Sequence, residues 1–449
     1  MSTSASVRRW IRSRTTLPRS VIVLGMISFT VAVGFGVMLP VLPVFAKSFE
    51  VDTFAASAVV SVFAFARLLA APAVGPMINR FGERPVLTVG IFIVAVSTAV
   101  SALAPTYLQF MVLRGLGGIG SAMFTVSAMT LVLNTVSPNL RGRASGLYMG
   151  GFLLGGMAGP GIGGLLAGIS LTAPFFFYAA ALVVAGLIGL VVLRSSGKHK
   201  EEASSDGVRP FRDVLRDTRY QAALVAGLGQ GWNSFGVRSA LIPIVVVDVL
   251  HHEPAWTGLA FTVSAVVQTV MLAPAGRFVD TVGRRPAMIA SGLVCAVGMV
   301  GVSLAGNVWV LIVALSLYGV GAAFQGTAPA AAVGDAAGAR SGTPVAVFSM
   351  VTDLGAIIGP LAAGWIATQG SFPLGFGVGA VILVLGSALA LRMPPGAPQH
   401  DDAPGDPEPV FTEPVLTEPA EPHLPGEPCD VGAPPDDPDG FRPYPVERR

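Results

Sequence analysis

The sequence predicts an all-helical membrane protein, with twelve transmembrane helices in two pseudo-symmetric six-helix bundles. Three observations predict it. Apolar runs of spanning length recur along residues 21–393, arginines crowd into alternate connections, and landmarks of the first half return about 200 residues later. Composition agrees. Of 449 residues only 12% are charged and 52% are hydrophobic, and mean hydropathy is +0.69. A soluble fold of this size carries about a quarter charged residues. The body of the chain is therefore not disordered, collagen-like, disulfide-framed or nucleic-acid-binding. Cys295 and Cys429 form no framework and no metal cluster, and the five histidines fall in connections or the tail.

The apolar runs read as spans over residues 21–45, 54–78, 86–104, 107–134, 144–168, 172–193, 220–247, 255–279, 287–306, 308–333, 343–368 and 372–392. Each covers the roughly 30 Å of hydrocarbon, where only helices satisfy their own backbone. The breaks between spans four and five and between ten and eleven rest on the polar segments 137–141 and 338–340. With the N-terminus in the cytoplasm, cytoplasmic connections collect 21 Lys and Arg and the opposite side only Lys47. A miscounted span would scramble that alternation. Tyr107, Trp256 and Trp309 open spans on the outer side, where aromatic residues anchor at the interface. The first apolar run exceeds a cleaved signal core and reads as a retained span.

Five segments follow: a basic cytoplasmic N-terminus over 1–20, a six-helix bundle over 21–194, a cytoplasmic loop over 195–219, a second bundle over 220–393, and a tail over 394–449. The net charge of +2 hides a split, for the tail holds 13 of the 26 acidic residues and three of the 28 basic ones. With 16 prolines in 56 residues and no apolar periodicity, the tail reads as a disordered, solvated cytoplasmic extension.

The repeat is legible in two places. The segment Gly75-Pro76-Met77-Ile78-Asn79-Arg80-Phe81-Gly82-Glu83-Arg84-Pro85 follows span two, and Gly276-Arg277-Phe278-Val279-Asp280-Thr281-Val282-Gly283-Arg284-Arg285-Pro286 follows span eight at an offset of 201. Gly75 and Gly276, Gly82 and Gly283, and Arg84 and Arg285 coincide. The glycines allow a tight turn, the arginines hold it in the cytoplasm, and Asn79 and Asp280 suit a cap on a neighbouring helix. Span five carries Gly151, Gly155, Gly159 and Gly163 at four-residue spacing, with Pro160. Span eleven answers with Gly355, Gly359 and Pro360 at an offset of 200. Small residues every four positions make a stripe that lets a helix approach closely, and the proline permits a bend.

Over residues 20–393 the chain resembles the major facilitator superfamily. Residues 75–85 resemble its loop motif between spans two and three. Arg114-Gly115-Leu116-Gly117-Gly118-Ile119-Gly120 resembles its span-four motif, residues 151–164 its span-five antiporter motif, and Pro40-Val41-Leu42-Pro43 the start of the drug:proton antiporters. Two positions depart: the usual loop aspartate is Asn79, although Asp280 keeps it in the second copy, and Val31 stands where tetracycline-exporter-like members carry an acid. The resemblance implies a binding site at the midplane, alternating access by rocking of the bundles, and glycine stripes of spans five and eleven as the contacts between halves.

Four ionisable residues lie well inside spans: Arg67, Arg114, Arg238 and Asp353. Each costs at least about 2.5–3.5 kcal/mol at the bilayer centre, so each should face protein or water. Arg114 and Asp353 are the candidates for proton coupling; the bland alternatives are carbonyl bonding for Arg114 and permanent neutralisation of an arginine for Asp353. Arg67 and Arg238 each either line the cavity or brace a helix contact; Arg67 reads as a brace, and Arg238 fits both roles equally. Three arginines against one aspartate favour neutral, zwitterionic or anionic cargo over organic cations. Because spans one, four, seven and ten line the cavity in the superfamily, the resemblance nominates Gln230, Trp232, Asn233, Arg238, Tyr318 and Gln325 for the substrate, with Gln268 of span eight in addition. Each amide can equally bond a neighbouring helix.

No nucleotide-binding loop and no catalytic constellation is present, so the chain reads as neither an ATPase nor another enzyme, without cofactor or metal and driven by a proton gradient. The glycines at 115–120 sit inside an apolar span with no preceding strand, which excludes a dinucleotide fingerprint. The reading is a monomeric, multi-pass exporter of small amphiphiles in a cell membrane, with the bilayer, the substrate and protons as partners and no nucleic acid. The Ala, Gly, Val and Arg bias points to a bacterial source. A proton-coupled importer on the same fold and a non-transporting sensor working through the tail remain open from sequence. Flux direction and deletion of the tail separate them.

Overall fold

A computed structural model describes residues 17–136, 140–193, 211–337 and 342–394. The polar breaks at 137–139 and 338–340, most of the basic N-terminus and central loop, and the tail from 395 lie outside the described residues. All described residues belong to one compact unit. They contain no strand. Twelve helices are long and apolar enough to cross a membrane. They are α1 (Arg19–Met38), α2 (Thr53–Phe81), α3 (Glu83–Ser101), α4 (Tyr107–Thr135), α5 (Arg141–Ala167), α6 (Ala173–Val192), α7 (Thr218–Val249), α8 (Pro254–Thr281), α9 (Arg284–Ser303), α10 (Val308–Ala337), α11 (Gly342–Thr368) and α12 (Phe372–Ala390).

Two expected spans differ in detail. The first does not continue to residue 45. It stops at Met38, turns through Leu39-Pro40-Val41, and resumes as the short helix Leu42–Lys47. Pro40 cannot donate to the preceding turn and its ring obstructs it. α7 is not α-helical throughout: Gly231–Val237 and Val245–Val249 are π-helical. Elsewhere start signals are local. Asp52 caps α2 through Ala55 N at 2.7 Å, and Ser371 caps α12 through Leu374 N at 3.4 Å. At the two loop motifs the capping expectation is corrected. Gly82 (φ 87°) and Gly283 (φ 115°) themselves stand at the starts of α3 and α9, because the turn needs a positive φ. Asn79 is exposed and makes no side-chain bond among the described residues, while Asp280 meets Arg284 at 3.8 Å.

Within the first six helices α1 packs on α5 and α6, α2 on α4, and α3 on α4 and α6. Within the last six, α7 packs on α10, α11 and α12, and α9 on α10 and α12. Two seams join the halves, α5 against α8 and α2 against α11.

The glycine stripes do not lie in those seams, contrary to the expectation. A Cβ on Gly159 would stand 2.7 Å from Gly36 Cα and one on Gly155 2.7 Å from Ala32 Cβ, both on α1; Gly151 and Gly163 likewise press on α1. A Cβ on Gly359 would stand 3.0 Å from Trp232 Cα, and one on Gly355 2.8 Å from Trp232 N, on α7. The stripes therefore close helix pairs inside each half, where near-absent side chains let backbones touch. Pro160 sits 2.9 Å from where Gly36 would carry a Cβ, and Pro360 2.9 Å from the same place on Gly236, so the repeat is a repeat of contacts. The seams use other glycines: Gly164 against Ala255 and Gly258, and Gly364 against Phe54 and Ser57.

The seams close at one end only. Gly146 and Gly164 are 18 residues apart on α5, five turns, and so share a face. Gly164 is tight against α8, while a Cβ on Gly146 would meet nothing within 4 Å. Ser57 and Gly75 on α2, and Gly258 and Gly276 on α8, repeat the spacing and the contrast. The halves touch at the end bearing the 39–52 and 250–253 connections and part towards the arginine-rich end.

Candidate functional site

At the closed end the ammonium of Lys47 pairs with Asp248, and Phe54 N donates to Thr368 Oγ1 at 3.0 Å. Both tie the first half to the second. Halfway along the α2–α11 seam, Ser61 Oγ donates to Ile357 O at 2.7 Å, and the Arg67 guanidinium pairs with the Asp353 carboxylate. Asp353 is one-fifth exposed, and Arg67 more so. The acid deepest in the described spans thus spends its charge on the opposite half. Arg67 braces helices, as expected, and does so across the seam. The matching positions of the other seam, Gln268 on α8 and Leu153 on α5, carry no charge.

Arg114 is 5% exposed and lies inside the first half with its guanidinium 4.7 Å from the Phe63 ring centre. Its Nε has no hydrogen-bond partner and no carboxylate pairs with it among the described residues. It does not adjoin Asp353 through any bond, so the two proton-coupling candidates are not brought together.

The substrate candidates divide into groups. Arg238, Tyr318 and Gln325 meet in the second half. The Arg238 guanidinium lies 5.5 Å from the ring centres of Phe261 and of Tyr318. The Tyr318 hydroxyl is 2.7 Å from Ser234 Oγ, and Cys295 Sγ lies 3.7 Å from Tyr318 O and 3.9 Å from Gln325 Oε1. Trp232 is buried, and its Nε1 has no acceptor. Asn233 turns away and donates to Gly229 O at 3.0 Å and Gly379 O at 3.1 Å, which fastens α7 to α12. Gln230 and Gln268 are partly buried and make no side-chain hydrogen bond among the described residues. Sequence reasoning missed Ser234 and Phe261, and it missed the π-helical turn Gly231–Val237 that carries Trp232 and ends just before Arg238. Such turns concentrate at functional sites. Ser234 had a signal, a hydroxyl one turn before an intramembrane arginine.

The loop motifs act at the arginine-rich end. Arg84 donates to Leu190 O on α6. In the second copy the bonded arginine is Arg284, which reaches Asp335 on α10 at 2.9 Å, whereas Arg285 makes no side-chain bond among the described residues. The first copy places Glu83 against Asn134, with Asn134 Nδ2 2.9 Å from Glu83 Oε1, at the same two positions of the repeat.

The two seams thus close at the end bearing the Lys47–Asp248 pair and part at the other. The family model of the Major Facilitator Superfamily matches residues 24–251 and 223–422, and the chain belongs to that superfamily. It is a multi-pass membrane transporter of small molecules and not an enzyme. It is 25% identical over 382 residues to Multidrug resistance protein 1 of Bacillus subtilis, covering 83% of this chain and 95% of that one. It is 23% identical over 346 residues to the Quinolone resistance protein NorA of Staphylococcus aureus (strain COL), covering 75% and 87%. Among solved structures it superposes on a bacterial homolog of the human lysosomal transporter Spinster, in an inward-facing and occupied conformation, with a TM-score of 0.69 at 15% identity over 83% of this chain and 95% of that one.

Proposed function

We propose that the chain exports small amphiphilic molecules from a bacterial cell in exchange for protons, as a monomer, with both ends in the cytoplasm and no cofactor. The observation that carries this is the Arg67–Asp353 pair across one seam. The pair sets opposite charges of the two halves against each other inside the membrane. A proton reaching Asp353 cancels its charge, frees Arg67, and removes an attraction between halves. Proton occupancy is thereby tied to the freedom of α2 to slide on α11. The arginine-rich connections favour the cytoplasmic side. On that orientation the parted seams open inward, and the Lys47–Asp248 pair and the Gly164 and Gly364 contacts seal the outer face. These must part, and the inner ends of α2, α5, α8 and α11 must meet, for release outside. The span-five motif and the resistance named for the two bacterial relatives support export.

The test uses everted vesicles with an acid interior and follows dissipation of the pH gradient on adding neutral, anionic and cationic aromatic compounds. Wild-type protein should discharge the gradient with part of the panel, and Asp353→Asn should lower that response at least tenfold while the protein remains folded. Undiminished proton-coupled flux in Asp353→Asn would remove the coupling role. Gradient-driven uptake into right-side-out vesicles would make the chain an importer.

A further inference from the structure

The cargo has a chemical signature in the second half. Of the three intramembrane arginines, Arg67 is neutralised by Asp353. Arg114 is sealed within the first half at 5% exposure. Arg238 is partly buried and has no ion pair and no hydrogen bond among the described residues; its contacts are the faces of Phe261 and Tyr318, each 5.5 Å from the guanidinium carbon. Ring faces attract a cation but leave its five N–H donors unused. A guanidinium at this depth without acceptors costs several kcal/mol unless something supplies them.

The surroundings are built to keep the head in place. The Tyr318 hydroxyl lies 2.7 Å from Ser234 Oγ and makes no hydrogen bond to the arginine among the described residues. Phe261 and Tyr318 are 4% and 0% exposed. Three residues before Arg238, Phe235 is 53% exposed and adds an accessible aromatic ring to the same segment of α7. The indole N–H of Trp232, in the π-helical turn before Arg238, is a buried donor without an acceptor among the described residues. The repeat makes the arrangement specific. The positions equivalent to Arg238, Phe261 and Tyr318 in the first half are Met38, Val60 and Gly117, so nothing in the fold itself demands it.

We propose that Arg238, cushioned by Phe261 and Tyr318, docks the anionic group of the transported molecule, making the cargo an aromatic or apolar organic anion with a carboxylate or sulfonate. The reading rests on the transport function above and names its substrate class. A planar oxyanion accepts two parallel N–H bonds from a guanidinium, and an apolar body would lie along Phe235.

The experiment is a binding measurement without any gradient, so it stands apart from transport. Protein in lipid nanodiscs is titrated with 8-anilinonaphthalene-1-sulfonate and with N-phenyl-1-naphthylamine, which differ by the sulfonate, against empty nanodiscs; ethidium serves as the cationic probe. The sulfonate should bind at least tenfold tighter than its neutral twin, and ethidium should not compete. Arg238→Gln should erase that preference and leave the neutral probe unchanged, and Arg238→Lys should restore part of it. Phe261→Leu, which keeps the charge, should weaken both aromatic probes equally. Equal affinity for the two naphthalenes in wild-type protein, a preference that survives Arg238→Gln, or competition by ethidium overturns the proposal. Sulfonate binding that follows Arg238 in a protein showing no proton-coupled flux would instead sink the export reading and leave this one standing.

Discussion

The two halves of the molecule share their backbones and differ in their charges. Gly36 against Pro160 is matched by Gly236 against Pro360, Gly164 against Gly258 by Gly364 against Ser57, and Gly118 against Phe63 by Gly319 against Ser264. At each of these three contacts both halves keep a small residue. The polar chemistry is not matched. Arg114 on Phe63 corresponds to Leu315 and Ser264, Arg238 corresponds to Met38, and the α2–α11 seam carries the Arg67–Asp353 pair where the matching positions of the other seam are Gln268 and Leu153. Close helix packing is set by geometry and tolerates little change. Charge placement is under no such packing constraint, and each of these groups occurs in one half alone.

The comparison breaks most visibly at the stripes. Leucine at Gly159 or Gly359 has no room against the backbone of α1 or α7, so each variant should lose folded protein, by about 3 kcal/mol or more. Thermal unfolding and monodispersity of purified protein check this. Equal losses from the two sites would support the symmetry, and a well-folded Gly159→Leu protein would refute the contact. Leucine at Gly164 or Gly364 is expected to act differently, because those glycines meet the opposite half. The protein should fold within about 1 kcal/mol of wild type, with the closed end pried apart, which cysteine accessibility at residues 54 and 255 measures. The smallest effect is expected at Lys47 and Asp248, which are 30% and 35% exposed in their side chains. Lys47→Ala should cost about 0.5 kcal/mol or less, screened by salt. It should raise labelling at the same two residues, and Lys47→Asp combined with Asp248→Lys should return it to the wild-type level.

Much of this was legible in the residues. Twelve spans followed from apolar length, and the repeat from two motifs at offsets of 201 and 200. What escaped is what depends on the partner. Four-residue spacing shows that Gly151, Gly155, Gly159 and Gly163 admit a neighbouring helix, yet that pattern holds no information on which helix arrives, and it is α1. A lone aspartate deep in a span calls for a cation, but three arginines were on offer and the choice of Arg67 lies 286 residues away. The π-helical turn has no periodic signature, since it inserts one extra residue into an otherwise ordinary apolar run. Pro40 was visible and its consequence underweighted: a helix drawn to residue 45 ignored the missing donor.

Lys47 and Asp248 stand 201 positions apart, the spacing of the repeat itself. Near-equivalent places of the two halves thus meet with opposite signs at the closed end. In an assembly of two identical six-helix units every residue recurs in both copies, and such a joint would tend to set lysine beside lysine or acid beside acid. Two separately encoded halves remove that restriction, so the clasp is a product of divergence between the repeats.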